Sequence, residues 1–181
     1  MIVLAFIISV LALTFTLASF WWLHWRTGKL RIAEPRTYQG YAQTSGQMIL
    51  VIPLVFFNDG PTPILVSNLR LRFLHETDAQ PLTFNSTWAA FAYKGEDLGR
   101  AFATPFPVHG REATLRICEF QRELAGWEFQ AKQYWLGLDA KIGTPGRWKQ
   151  VSKFCLGVSK RAAETMSRQL LMHDSSGCPE Q

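Results

Sequence analysis

Residues Ile2 to Leu23 form an apolar run without a charged side chain, and no other feature of the sequence constrains the chain as tightly. At a helical rise of about 1.5 Å per residue the run reaches roughly 33 Å, enough for a hydrocarbon core about 30 Å thick. A cleavable secretory signal would need a charged start, a shorter apolar stretch and small residues at the cleavage point. Here the start is uncharged, and the best cleavage point, Thr16-Leu17-Ala18, runs into Phe20-Trp21-Trp22. Residues 1–25 are therefore expected to stay in place as a single transmembrane helix. The rest of the chain would then be tethered to a lipid bilayer.

Trp21, Trp22 and Trp25 sit where an interfacial aromatic belt would lie, because indole joins an apolar body to a polar N–H that prefers headgroup depth. Arg26, Lys29, Arg31 and Arg36 come directly after, whereas only the terminal amine precedes the run. Positive charge favours the cytoplasmic side, so the soluble part is expected there. Cys118, Cys155 and Cys178 are an odd number of cysteines, and free thiols suit a reducing compartment. Against this stands Asn85-Ser86-Thr87, a formal glycosylation acceptor that would matter only outside the cytosol.

The remaining length suits one domain with its own core. We read residues 26–46 as a basic juxtamembrane segment and linker, 47–158 as a β-sandwich domain and 159–181 as a tail that is partly helical. The charge is uneven: residues 26–36 hold four basic residues and one acidic, and residues 147–168 hold six and one. No nucleic-acid reading module accompanies these clusters, so no nucleic-acid partner is expected. An anionic leaflet explains the first cluster, at about 1 kcal/mol per cation near the surface.

Strand-like runs fill the body. Residues 48–57 form one long run interrupted by Pro53, and Asn58-Asp59-Gly60-Pro61-Thr62-Pro63 is a dense turn signal from which a hairpin is expected. Beyond it Leu65, Leu69, Leu71 and Phe73 alternate with Asn68, Arg70 and Arg72, the pattern of a strand with one wet, basic face. Further strands are expected over 82–93, 113–120, 134–142 and 147–156, with a short piece near 101–106. In the second of these, Ala113, Leu115 and Ile117 share one parity, and Thr114, Arg116 and Cys118 the other. No βαβ rhythm is visible, so the expected fold is mainly β: about seven antiparallel strands in a sandwich behind a membrane helix. Ser159 could cap a short terminal helix.

The strands together with the turn at Asn58-Asp59-Gly60-Pro61 resemble an immunoglobulin-like sandwich. The junction Trp21-Trp22-Leu23-His24-Trp25-Arg26-Thr27-Gly28-Lys29, with strands after it, is similar to that of uncharacterised bacterial single-pass membrane proteins. The resemblance implies a fold class and no activity, because fold does not imply function.

Chemistry is sparse. Cys118, with His109 and Asp139, could supply a nucleophile, a base and an orienting carboxylate, although the alternative is a structural thiol. Glu96 and Asp97 are adjacent in a loop, where carboxylates are usually solvated. No pair of His or Cys stands at metal-ligand spacing and no phosphate-binding loop is present, so neither a metal nor a cofactor is expected. The loop Leu124 to Phe129 either exposes Trp127 and Phe129 as interface anchors or plugs the end of the core with them. Trp127, Phe129, Arg70 and Arg72 are the candidate binding residues, and Trp21, Trp22, Trp25, Arg26, Lys29 and Arg31 the candidate membrane-interface residues. The expected function is that of an accessory or scaffolding domain that binds another protein at the cytoplasmic face. The alternatives are an exported domain that binds envelope or carbohydrate ligands, and a membrane-anchored thiol enzyme.

Overall fold

The computed structural model describes residues 2–42, 46–76, 80–90, 99–123, 127–175 and 178. The apolar run is helical as its composition dictates: α1 spans Ile2–Phe20, and a π-helical turn over Trp21–Trp25 extends it. Together these 24 residues are long and apolar enough to cross a membrane, and none of their side chains is buried by the rest of the chain. Ser9, Thr14 and Thr16 donate their hydroxyls to the carbonyls four residues earlier, so these three polar side chains are satisfied within α1.

The remainder is mainly β and antiparallel. Eleven strands form in chain order: β1 Leu30–Ile32, β2 Thr37–Ala42, β3 Gln47–Asn58, β4 Ile64–Phe73, β5 Leu82–Trp88, β6 Arg100–Phe102, β7 Phe106–Val108, β8 Ala113–Glu123, β9 Gln133–Ile142, β10 Arg147–Gly157 and β11 Leu171–Asp174. A short helix, α2, covers Lys160–Met166, and Ser159 caps it by accepting from the Ala162 N–H at 3.1 Å. The segment expected to be a linker contributes β1 and β2, which pair with the two ends of β3.

The hydrogen-bonded path runs β10-β9-β4-β5-β8-β3-β2-β11 and folds over on itself around one core. β5 turns the corner: Thr83 pairs with β4 on one side and β8 on the other, with a bulge at Asn85 just beyond. Leu50, Ile52, Leu54 and Phe56 of β3 share the interior with Leu69 and Leu71 of β4, Leu136 and Leu138 of β9 and Phe154 of β10. Burying each such side chain contributes about 1.5–3 kcal/mol, which is where this fold draws its stability.

Two expectations are corrected. β3 and β4 do not form a hairpin, since β3 pairs with β8, β2 and β1 while β4 pairs with β9, β5 and β7. The turn between them instead carries the chain from one layer to the other, and its polar groups are divided between the turn itself and more distant partners. The cysteines are also not all free. Cys155 of β10 is disulfide-bonded to Cys178, leaving Cys118 as the free thiol. This bond, the Ser175 hydroxyl donating to the Cys155 carbonyl at 3.1 Å, and the Tyr38 hydroxyl donating to the Gly157 carbonyl at 2.9 Å stitch the β10 edge to the β2–β11 edge.

Candidate functional site

The membrane helix is joined to the domain by a built contact. Asp59, in the turn after β3, accepts the Lys29 backbone N–H at 2.6 Å and the Arg31 guanidinium at 3.3 Å, while Arg26 donates to the Asp59 carbonyl at 2.7 Å. The Lys29 N–H bond and then the Arg31 charge hold the Asp59 carboxyl below the usual carboxylate range. Gly28 and Gly60 lie backbone to backbone, and a Cβ added at Gly60 would meet Gly28 Cα and N at 2.2 Å. Neither position therefore accepts a side chain without moving the chain.

Arg111 completes the junction from the turn between β7 and β8. Its backbone is in the left-handed region at φ 57°, held by N–H bonds to the carbonyls of Asn58 at 2.9 Å and Gly60 at 3.0 Å. Its guanidinium reaches the carbonyls of Trp22 and Leu23 at 3.5 Å. A cation there complements the negative end of the helix dipole. Of the expected interface residues, Arg26 also stacks over the Trp22 ring at 4.3 Å, and Trp21, Trp22 and Trp25 are all exposed.

Arg70 and Arg72 lie together on the outer face of β4, but both are engaged. Arg70 Nε, Arg72 Nε and Arg72 Nη2 each donate to the buried Asp139 carboxylate of β9 at 2.8 Å, and Arg70 stacks over Trp148 at 4.5 Å. Burial alone would raise the Asp139 pKa, yet the two guanidinium groups outweigh it and the net shift is downward. What sequence alternation presents as a free basic face is a cluster in which two guanidinium groups share one buried carboxylate.

Trp127 and Phe129 take the plugging role of the two considered for their loop. Phe129 is buried, its ring 5.8 Å from Tyr134, and Trp127 is half-buried 5.4 Å from Phe73. As a pair of exposed anchors they are corrected: both close the open end of the core. Leu124, Ala125 and Gly126 lie outside the described residues, as do Glu96 and Asp97.

Cys118 is corrected as a candidate nucleophile. It faces the core with no exposure, and burial pushes its thiol up to about 12, so almost no thiolate forms near neutrality. Asp139, its expected orienting carboxylate, stands on the outer face of the sheet, paired with Arg70 and Arg72. Among the described residues no group of three or more His, Cys, Asp or Glu could hold a metal ion.

The outer face of β5, β6 and β8 carries an arrangement that no sequence motif announces. The Glu119 carboxylate, 1% exposed, accepts from Ser86 Oγ at 2.9 Å, Trp88 Nε1 at 2.5 Å and Asn85 Nδ2 at 3.2 Å, and also from Arg100 and Gln121. This network fixes the floor beside a cleft of about 330 Å³ lined by Trp88, Gly99, Ala101, Leu115 and Ile117. Phe102, 87% exposed, and Leu115, 62% exposed, stand on the same face. Among the described residues β6 pairs only with β5. The more apolar row of β8, with Leu115 in it, points outward here, while Cys118 and Phe120 of the other row fill the core.

Comparison with protein-family models and with curated proteins finds no match. Among solved structures the chain is similar to a protein from Archaeoglobus fulgidus, at 12% identity over 79% of this chain and 96% of that one, with a TM-score of 0.39.

Proposed function

We propose that this chain is a membrane-tethered accessory domain that docks a protein partner on the face bearing Phe102 and Leu115. The observation that carries the reading is that Leu115 stands exposed at the cleft and Phe102 stands exposed on β6, a strand that pairs only with β5 among the described residues. Exposed aromatic and aliphatic anchors next to a preformed depression are the usual centres of interface energy, and an open edge can add a partner's strand. The tether does the rest, because confining both partners to one membrane raises their effective concentration.

The proposal places the domain on the non-cytoplasmic side, departing from the expectation drawn from charge. The disulfide supports this, since such bonds are rare in reducing cytosol. The four basic residues after the helix favour the other side, but three of them, Arg26, Lys29 and Arg31, also hold the junction together through Asp59.

Photoreactive residues placed singly at 102 and 115 in native membranes should each give a discrete cross-linked product. Lys153, exposed on β10 away from that face, should give none. Because both positions are exposed, the double alanine variant should melt within about 0.5 kcal/mol of wild type. The same product ladder from all three positions, or none from any, would refute the docking face. For sidedness, reduction and then an impermeant maleimide on sealed right-side-out vesicles should label Cys178, the half-buried partner of the disulfide. Labelling only after lysis would return the domain to the cytoplasm.

A further inference from the structure

The membrane-proximal end holds a second cavity, about 220 Å³, between β1 and β10, lined by Lys29, Leu30, Arg31, Ile142, Lys149, Gln150 and Val151. Its charged lining residues are all cations. Lys29 and Lys149 have no carboxylate partner among the described residues, and Arg31 shares Asp59 at 3.3 Å. We infer that this seam is a binding site for the phosphate-bearing headgroup of an anionic phospholipid.

Three independent features converge on it. The first is a break in strand parity. Lys149 stands opposite Ala140 and Arg147 opposite Ile142, on the side of β10 that farther along carries Phe154 and Leu156 into the core. A lysine and an arginine on a core-parity row are a local contradiction, and such contradictions concentrate at functional sites. Here the row continues past the core to the mouth of the seam, so both cations are exposed and Lys149 lines the cavity.

The second is the state of the strands. β1 pairs only with β3 and β10 only with β9, so the edges that face each other across the seam form no ladder among the described residues. Backbone N–H groups on those edges are available to an oxyanion, for which they are well-suited donors.

The third is height. Lys29 lies four positions beyond Trp25, the last residue of the helix, and its own N–H is fixed on Asp59. A 24-residue helix of about 36 Å overruns a 30 Å hydrocarbon core by roughly 6 Å, which places the seam at headgroup depth. The cavity is also below the roughly 300 Å³ at which pockets for drug-sized ligands begin, which suits a headgroup more than a whole soluble ligand.

The inference rests on the membrane tether but not on the docking face or on sidedness, so it is tested apart from both. Full-length protein in detergent micelles is offered phosphatidylglycerol or phosphatidylcholine, and retained lipid is counted by native mass spectrometry. Phosphatidylglycerol should be retained several-fold more. Lys149→Gln and Lys29→Gln should each lower its retention about fivefold, the equivalent of about 1 kcal/mol per cation, with Lys149→Arg restoring it. Lys153→Gln, whose ammonium lies over Trp135 on the outer face, should change nothing. Equal retention of the two lipids, or equal loss in Lys153→Gln, overturns the site. Displacement of the lipid by millimolar glycerol 3-phosphate overturns the lipid assignment in favour of a soluble phosphate. If carbonate extracts the chain from membranes, the tether itself fails, whatever the lipid counts show.

Discussion

Replacing Asp139 with Asn separates a structural role for Arg70 and Arg72 from a binding role. The carboxylate is 3% exposed and receives three guanidinium bonds of 2.8 Å, while the two arginine side chains remain 33% and 35% exposed. Removing one partner of a fully buried pair costs about 3–5 kcal/mol. Because the arginines can partly resolvate, the cost here is discounted to about 2–3 kcal/mol. For a domain of this size that is a fall of roughly 4–12 °C in melting temperature. The pH dependence sharpens the test. The folded pKa of Asp139 lies below its unfolded value, so its contribution is fully present above the ordinary carboxylate range and is lost as pH falls through the folded pKa. Thermal melts of the full chain in micelles at falling pH should therefore show the gap between wild type and Asp139→Asn constant above the ordinary carboxylate range and narrowing below it. A variant that melts with wild type at pH 7, or a gap that persists unchanged into acid, would refute the structural role and return both arginines to the surface as free binding groups.

Cys178→Ser opens a loop of sequence separation 23, and loop-closure entropy puts the loss at about 3 kcal/mol. Chemical denaturation with and without reductant should show wild type falling to the level of the variant and the variant unmoved. Cys118, fully buried with its pKa pushed up to about 12, should resist iodoacetamide in the native chain and react only on unfolding, which peptide mapping of the alkylated residue will show.

The helix is legible in the sequence because composition alone decides it, β3 because a long β-branched run too short to span can be little else, and β4 and β9 because long strands with one buried face impose a period of two; β10 breaks that period at its bulge, and Trp148, expected inward, faces out under Arg70. β8 misleads because both its rows are mixed. Ala113, Leu115 and Ile117 make the more apolar row at its start, but Cys118 and Phe120 decide which side is inside. The turn after β3 misleads for a related reason. Asn58 performs local turn chemistry, accepting the Gly60 N–H and donating to the Thr62 carbonyl, but it also donates to the distant Val108 carbonyl, and Asp59 is spent on the juxtamembrane chain. Turn composition reports a change of direction and not which strand the chain meets next. An odd cysteine count excludes a complete set of bridges but leaves one pair free to form, and that pair joins a strand edge to a tail with no pattern of its own. The Glu119 cluster is invisible in the sequence because its donors come from β5, β6 and β8, brought together only by pairing.

The junction bears directly on how a tether works. With a flexible linker, effective concentration falls with roughly the three-halves power of linker length, and the domain samples every tilt. This chain has almost no such linker. Arg26 is bonded to the Asp59 carbonyl one residue after the helix ends, Gly28 is interlocked with Gly60, and Arg111 reaches back to the carbonyls of Trp22 and Leu23. On the proposed reading, a domain fixed in this way presents Phe102 and Leu115 at one height and one orientation above the bilayer. It gains reach toward partners held at that height and loses it toward all others. The cations of the seam act in the same direction, since a headgroup held by Lys29 and Lys149 would pin the domain on the side opposite Arg111 and remove the remaining tilt. On this reading the basic residues after the span have work beyond topology, which is why so strong a cluster can coexist with a disulfide-bonded domain.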